Sequence, residues 1–520
     1  MATGTRVRRA EIAGVLASAT ALALGHRPAA LLLGTALSVA FARQLGWGEA
    51  EVATVYWYSL VRFAGCHAEN HGWSALIGDE VAFNREFSRI DNGRPDEMLG
   101  LVVGMIEKAH AALGPSGIEA LLKATLSGMG TGAAEMIAGH CDVAQRMAAR
   151  MGFEPAIVHA LGQFRERWDG AGLPRQLSGE ALDPAVRLVF LCHDMAMLDA
   201  LTGRETALTT LSKRKGSAYE PKLAEAFLAH GAELMAVLDA ADPWIAAMAA
   251  EPGGPALLSD SELDDACLVL ADFCDLQLPD AVDHSRAVAT LTSGAAAALG
   301  LDARTSAELR RASLLHDLGY AAVPVRLRGG YADPMSAAGD VRLHPFHGEE
   351  LLRRVAMLRG EAELVGRHHE ANDGSGYFRG LGGAALTIAA KVLIAAEVYQ
   401  TLLEGRRGEA AASPSNAAAA LRAGVTEGRI DADAAKAVLT AAGHRVAPKR
   451  RELVAGLTNR ELDILRLAAT GLSMKEIGQE LGISPKTVDN HLQSLYVKID
   501  VKTRAGATLF AIEHGLCARN

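Results

Sequence analysis

RASLLHDLGYAAVPVRL, residues 311–327, sets an imidazole beside a carboxylate, His316 and Asp317. Both side chains are ordinary ligands of borderline divalent metals. An adjacent pair is a weak signal by itself, and its weight comes from the surrounding 130 residues or so, about one helical domain's worth. DHSRAV (283–288) lies upstream, and RLHPFHGEELL (342–352), HHEANDGSGYFRGLGG (368–383) and AAKVLIAAEVYQTLL (389–403) follow. Together they offer Asp280, His284, His316, Asp317, His344, His368, His369 and Glu397. Asp280 and His284 are four residues apart and share a face if that stretch is a helix. The segments around His344 and Glu397 also read as helices, each turning one ligand inward. Five imidazoles and three carboxylates exceed the six positions of one octahedral ion, so two or more metals sharing a bridge are expected. Mixed nitrogen and oxygen ligation suits iron or manganese, with zinc as a further option. Two such ions at bridging distance can activate a water and neutralise a phosphoryl oxygen. His347 is read as an ordinary surface or core histidine.

The chain has 520 residues, half of them apolar and only 5% aromatic. That length calls for about three domains, and the abundance of alanine with helical apolar spacing points to an all-α protein. No stretch alternates strictly as a half-buried strand would. Acidic or Gly/Pro-rich breaks at EPGGPALLSDSELDD (251–265) and GHRVAPKRRE (443–452) divide the chain into 1–250, 260–445 and 452–520. Formal net charge is −9, yet Pro448–Asn520 carries 11 Lys/Arg against 8 Asp/Glu, a balance of +3 that leaves −12 upstream. A basic tail on an acidic body points to nucleic acid as partner of the tail alone. The six cysteines are scattered without a CxxC pair, which argues against a disulfide frame or zinc knuckle.

At the N-terminus RVRR followed by IAGVLASATALALG imitates a signal peptide. Glu11 interrupts the basic stretch, however, and the apolar runs from Ile12 and from 29 to 41 are too short to span a bilayer. Two buried helices of a cytoplasmic protein without membrane contact are expected there.

The first two segments are copies of one another. LGQFRERWDGAGLPRQLSGEALDPAVRL (161–188) aligns with VGRHHEANDGSGYFRGLGGAALTIAAKV (365–392) at a shift of 204, which also sets His140 opposite His344. SLVRFAGC (59–66) aligns with SLLHDLGY (313–320) at a shift of 254, so the first copy carries an insertion. In the first copy Arg62-Phe63 stand for His316-Asp317, Phe164-Arg165 for His368-His369, and Ala30 for His284. An aromatic ring and a guanidinium cannot ligate a metal, so the first copy keeps the shape and is expected to hold no ion.

The stretch 260–443 resembles an HD-GYP domain, a branch of the HD phosphohydrolase superfamily, through DHSRAV, LLHDLG, LHP, HHEANDGSGY, AAEVY and SPSNAAAALRAGVTEGRIDADAAKAVL. The resemblance implies a helical fold, two or three metals, ligand roles for His284, His316, Asp317, His344, His368 and His369, and hydrolysis of cyclic di-GMP. Four positions depart from the pattern. Asp280 stands for Glu and Glu397 for Asp, keeping the carboxylate. Tyr320 stands where the family has lysine and Phe378 where it has proline. Losing the lysine removes a charge beside the scissile phosphate, and a neutral donor is roughly half as strong. Arg379 is a candidate to supply the charge instead. Asp317, Tyr320 and Arg379 are thus the candidate catalytic set, with slow hydrolysis or none expected on a nucleotide-like phosphodiester.

In LTNRELDILRLAATGLSMKEIGQELGISPKTVDNHLQSLYVKIDVKTRAGATLFAIEHGL (457–516), Thr458 with Glu461 and Ser473 with Glu476 form capping boxes. Gly471 and Gly482 end helices, Ser484 caps a third with Pro485 at its first position, and Thr503 starts a fourth. Val488, Leu492, Leu495 and Ile499 form the buried stripe of the third helix. The opposite face carries Lys486, Thr487, Asp489, Asn490 and Gln493, where Asn and Gln suit adenine edges and Lys and Thr suit phosphates. This segment resembles a LuxR-type helix-turn-helix domain, which implies double-stranded DNA as partner, base contacts from Asp489, Asn490 and Gln493, and a homodimer. The expected whole is a tandem of HD-GYP-like helical domains, the first degenerate, followed by a four-helix DNA-binding domain. The reading preferred is a transcription regulator governed by its metal domain; the rivals are a phosphodiesterase with a regulatory tail and, third, a scaffold in which the metal is structural.

Overall fold

A computed structural model of the chain describes residues 6–66, 74, 76–277, 282–328, 341–405, 410–443 and 454–516. Among these residues it is helical, with isolated bridges and no strand. Two compact units form, Met1–Glu262 and Leu263–Asn520, the boundary falling inside the acidic stretch 251–265. Asp280 lies outside the described residues.

In the first unit, α1 (Arg9–Ala23) and α2 (Pro28–Gln44) are buried on nearly every face. Their uniform apolarity, which imitated a leader, is that of core helices. Around them stand α3 (Glu49–Val61), the long α4 (Gly114–Arg150), α5 (Pro155–Leu161) and α6 (Pro184–Thr202). No helix among the described residues is long and apolar enough to cross a membrane.

The second unit builds its metal-type domain from α7 (Asp260–Asp275), α8 (His284–Leu299), α9 (Ala303–Leu315), α10 (His344–Leu352), α11 (Arg359–Val365) and α12 (Ile388–Glu404). The duplication is visible bond by bond. Glu166 accepts from the backbone N–H groups of Arg175 (2.7 Å) and Leu177 (2.9 Å). Glu370, 204 residues on, accepts from Arg379 (2.8 Å) and Leu381 (2.7 Å). Each loop runs into a long helix, α6 or α12, starting at equivalent positions. The peptides Leu173-Pro174 and Tyr377-Phe378, also equivalent, are both cis.

The tail is a four-helix bundle of α13 (Asn459–Ala469), α14 (Met474–Leu481), α15 (Pro485–Lys498) and α16 (Arg504–Glu513). Its caps are those read from the sequence: Thr458/Glu461 and Ser473/Glu476 form complete boxes, Gly482 is left-handed, and Ser484 and Thr503 cap through their hydroxyls. Val488, Leu495 and Ile499 are buried in the bundle core, and Leu492 packs against it. Val282, from the turn that leads into His284, also packs against this core. Asp283, between the two, has a left-handed backbone (φ 69°).

Candidate metal centre and nucleic-acid interface

Side chains from α8, α12 and the turns that end α9 and α11 meet the first residue of α10 at one buried point. His284, His316, Asp317, His344 and His368 are all at most 1% exposed, and Glu397 is buried with them. Two groups have geometry fit for an ion: His284 with His316 and Asp317, and His344 with His368 and His369. Asp317 joins them. One of its oxygens is 3.4 Å from His316 Nε2, 3.6 Å from His344 Nε2 and 3.8 Å from His368 Nε2, and the other is 3.9 Å from His284 Nε2. Glu397 lies 2.8 Å from His284 Nε2 and 3.3 Å from His316 Nε2.

Tautomers follow from the other ring nitrogens. His316, His344 and His368 each donate Nδ1–H to the carbonyl three residues back, those of Ser313 (2.8 Å), Val341 (2.7 Å) and Val365 (2.6 Å). A carbonyl can only accept, so Nδ1 keeps the proton and Nε2 turns its lone pair inward. Pairs of Nε2 atoms then face each other at 3.2 Å (His284 and His316) and 3.0 Å (His344 and His368). Lone pairs at that spacing suit a shared cation, and outer nitrogens tied to acceptors are the usual second layer of a histidine-ligated metal. The residues therefore fit the metals that the sequence suggests.

Electrostatics agree. Burial pushes the Glu397 carboxyl up, but His284 and then His316 outweigh it and hold it well below the usual range. Burial pushes His316 down, yet Asp317 and Glu397 raise it above its ordinary value. Burial, reinforced by His316, drops His368 to about 4, so its imidazole is neutral.

Of the three residues assigned to catalysis, Asp317 is central and the other two are placed differently from the sequence expectation. Tyr320 is 3% exposed among Val323 and Leu327, its ring lying flat on His344 at 4.0 Å. It braces a candidate ligand from the apolar side. Arg379 pairs with the buried Glu349 at 2.7 Å and covers the Phe378 ring at 4.2 Å, so its charge is already matched. His369 is half-buried and stacks on Tyr377. Sequence reasoning missed Glu404, whose carboxylate meets His284 Nδ1 at 2.7 Å, and Glu349. No local pattern marks either, because each acts across a long loop.

The first copy is filled. Arg62, in the place of His316, donates to the carbonyls of Val189 (3.2 Å) and Phe164 (3.3 Å) and lies against the Phe63 ring. His193, in the place of Glu397, meets the Ser59 hydroxyl at 2.6 Å, and burial keeps it neutral. Among the described residues, both candidate ligand groups are in the second unit.

On the bundle, Asn490 and Gln493 are exposed along α15, with Thr487 half-buried near its start. Lys486 pairs with Asp489 at 2.8 Å. The face is polar, and its open side chains are those that suit base edges and phosphates.

A buried histidine–carboxylate centre in a helical domain, followed by a helix-turn-helix bundle, is the arrangement of an HD domain joined to a LuxR-type domain. The comparisons agree: the HD domain profile matches residues 268–434, and that of the bacterial regulatory proteins of the LuxR family matches 455–511. The chain is 27% identical over 387 residues to 3'3'-cGAMP-specific phosphodiesterase 3 of Vibrio cholerae, across 73% of this chain and 82% of that one. It is 36% identical over 114 residues to the cyclic di-GMP phosphodiesterase response regulator RpfG of Xanthomonas campestris, across 21% of this chain and 29% of that one. The tail is 41% identical over 68 residues to the response regulator protein VraR of Staphylococcus aureus, spanning 13% of this chain and 32% of that one. The solved structure of a cyclic GMP-AMP phosphodiesterase of V. cholerae shares the fold, with a TM-score of 0.58, 22% identity, and 85% of this chain and 99% of that one covered.

Proposed function

We propose that this chain is a DNA-binding transcription regulator whose second copy holds two divalent metals and receives a cyclic-dinucleotide phosphodiester. The observation that carries this is the presence, in one unit, of a converging set of candidate ligands and a helix-turn-helix bundle with its polar helix face open. His284, His316, Asp317 and Glu397 would hold one ion, and His344, His368 and His369 the other, with Asp317 between them. Bound metals would supply positive charge for a phosphoryl oxygen and lower the pKa of a water. The protein's own part is to fix four Nε2 lone pairs inward, to keep Glu397 ionised, and to close the site to bulk water. With Tyr320 buried and Arg379 held by Glu349, neither side chain considered in place of the family's lysine offers a free cation to the phosphate, and slow turnover follows. Missing one such donor typically costs on the order of a hundred- to a thousand-fold in rate. The tail acts as a homodimer on duplex DNA.

Likeness to V. cholerae 3'3'-cGAMP-specific phosphodiesterase 3 over most of the chain favours a second reading, a working cyclic-dinucleotide phosphodiesterase with a regulatory tail. One experiment separates the two. Purified full-length protein is analysed for metal, mixed with cyclic GMP-AMP and cyclic di-GMP, and assayed for cleavage and for DNA binding. Metal-dependent DNA binding with little cleavage supports the regulator. Rapid cleavage with indifferent DNA binding supports the enzyme, and absence of duplex binding at low salt removes the regulator.

A further inference from the structure

We infer that Glu404 is a positioning residue for the metal ligand His284, supplying through Nδ1 a negative charge that the other buried imidazoles of the centre lack. This rests on the metal-centre reading above. Three of the imidazoles are oriented by backbone carbonyls three residues behind them. His284 is oriented by a carboxylate 120 residues away, at 2.7 Å, and by a different helix. The carboxylate is itself directed, since its second oxygen accepts from Gln400 Nε2 at 2.6 Å. One face of α12 thus carries Glu397, Gln400, Thr401 and Glu404 at i, i+3, i+4 and i+7. Glu397 meets His284 Nε2 while Thr401 donates to the other Glu397 oxygen at 2.9 Å. The His284 ring is therefore gripped at both nitrogens from one helix.

A carboxylate accepting from Nδ1–H makes Nε2 a stronger donor to a metal than a carbonyl does, because charge on the ring is shared with a full anion. The duplication provides an internal comparison. In the first copy Ala30 replaces His284, and Ala200, at the shift of 204, replaces Glu404. Gln400 and Thr401 become Ala196 and Met197. Ligand and support are kept together in one copy and lost together in the other, as expected if Glu404 serves the ligand and not the helix packing common to both.

The test uses full-length protein stripped of metal and titrated with cobalt(II) alone, in competition with a chelator, for wild type, Glu404→Leu and Glu404→Gln. Loss of an outer-layer partner typically lowers metal affinity about 10- to 100-fold. Glu404→Leu is expected to show that loss with a changed visible cobalt spectrum, and Glu404→Gln, which keeps an acceptor without charge, a smaller one. Metal-free melting of Glu404→Gln should match wild type. Cobalt affinity within about twofold of wild type in Glu404→Leu, with an unchanged spectrum, would overturn the assignment. Equal loss of metal-free stability in both variants would assign Glu404 to folding and overturn it too. A wild type that takes up no cobalt would remove the metal reading, and this inference with it.

Discussion

Asp317 shows how much one side chain can decide. It lies within 4 Å of four imidazole nitrogens drawn from both ligand groups. Asp317→Ala should therefore reduce bound metal at both positions together, whereas His369→Ala, at the half-buried edge, should affect one; metal content per chain by mass spectrometry distinguishes these. Glu461 plays a comparable part in the tail. It closes the cap of α13 and accepts from Ser494 (2.8 Å) and Lys498 (2.6 Å) on α15, tying α15 to α13. Burial opposes its ionisation, but Lys498 and the Thr458 N–H win and hold it at about 2. A depressed carboxyl stabilises the fold above its unfolded value near 4.5, and that contribution fades as pH falls from about 5 towards 2. Thermal melts of Glu461→Gln should show a bundle weaker at neutral pH, by about 1–3 kcal/mol, with a flatter acid limb. The convergence of seven of the eight metal candidates was legible because chemistry and order along the chain sufficed. The places of Tyr320 and Arg379 were not, since a ring stack and a pair with Glu349 depend on packing that spacing does not encode.

Among the elements, the duplicated turn after α3 and after α9 explains why the two copies keep one shape with different contents. A Cβ placed on Gly65 would fall 1.9 Å from the His140 carbonyl oxygen, and one on Gly319 1.8 Å from that of His344. Only glycine lets the turn cross the next helix so closely, and backbone cannot yield as a side-chain tip can. Gly319→Ala should cost more than about 3 kcal/mol and displace His344, with metal loss appearing alongside a lower melting temperature. Helix caps in the tail were readable because they are local, with donor and acceptor three residues apart. The repeat was readable because the loop 365–392 kept its acidic and glycine positions after its counterpart lost the ligands. The closed interior of the first copy, with Arg62 bonded to carbonyls from two other segments, was expected only as an absence of metal.

For the whole molecule, the basic tail and acidic remainder predict DNA binding that weakens steeply with salt, as counterions released at phosphates imply. Asn490→Ala should leave that slope nearly unchanged while relaxing preference at one base pair, at a cost of about 1–3 kcal/mol; titrations at several salt concentrations on matched and scrambled duplexes measure both. One contact bears on more than packing. Val282 packs against the bundle's apolar core yet stands two residues before His284. Any ion that prefers the folded centre stabilises by mass action whatever must be folded for His284 to be in place. The bundle's own melting is then a gauge of the centre: at free metal a hundredfold above its dissociation constant the added stability is about 2.7 kcal/mol, and part of it should be read at residues 457–516, where no ligand lies. Hydrogen exchange along α16, followed as metal is chelated, would register that transfer as faster exchange, and unchanged rates would mean the two halves of the unit melt without reference to each other.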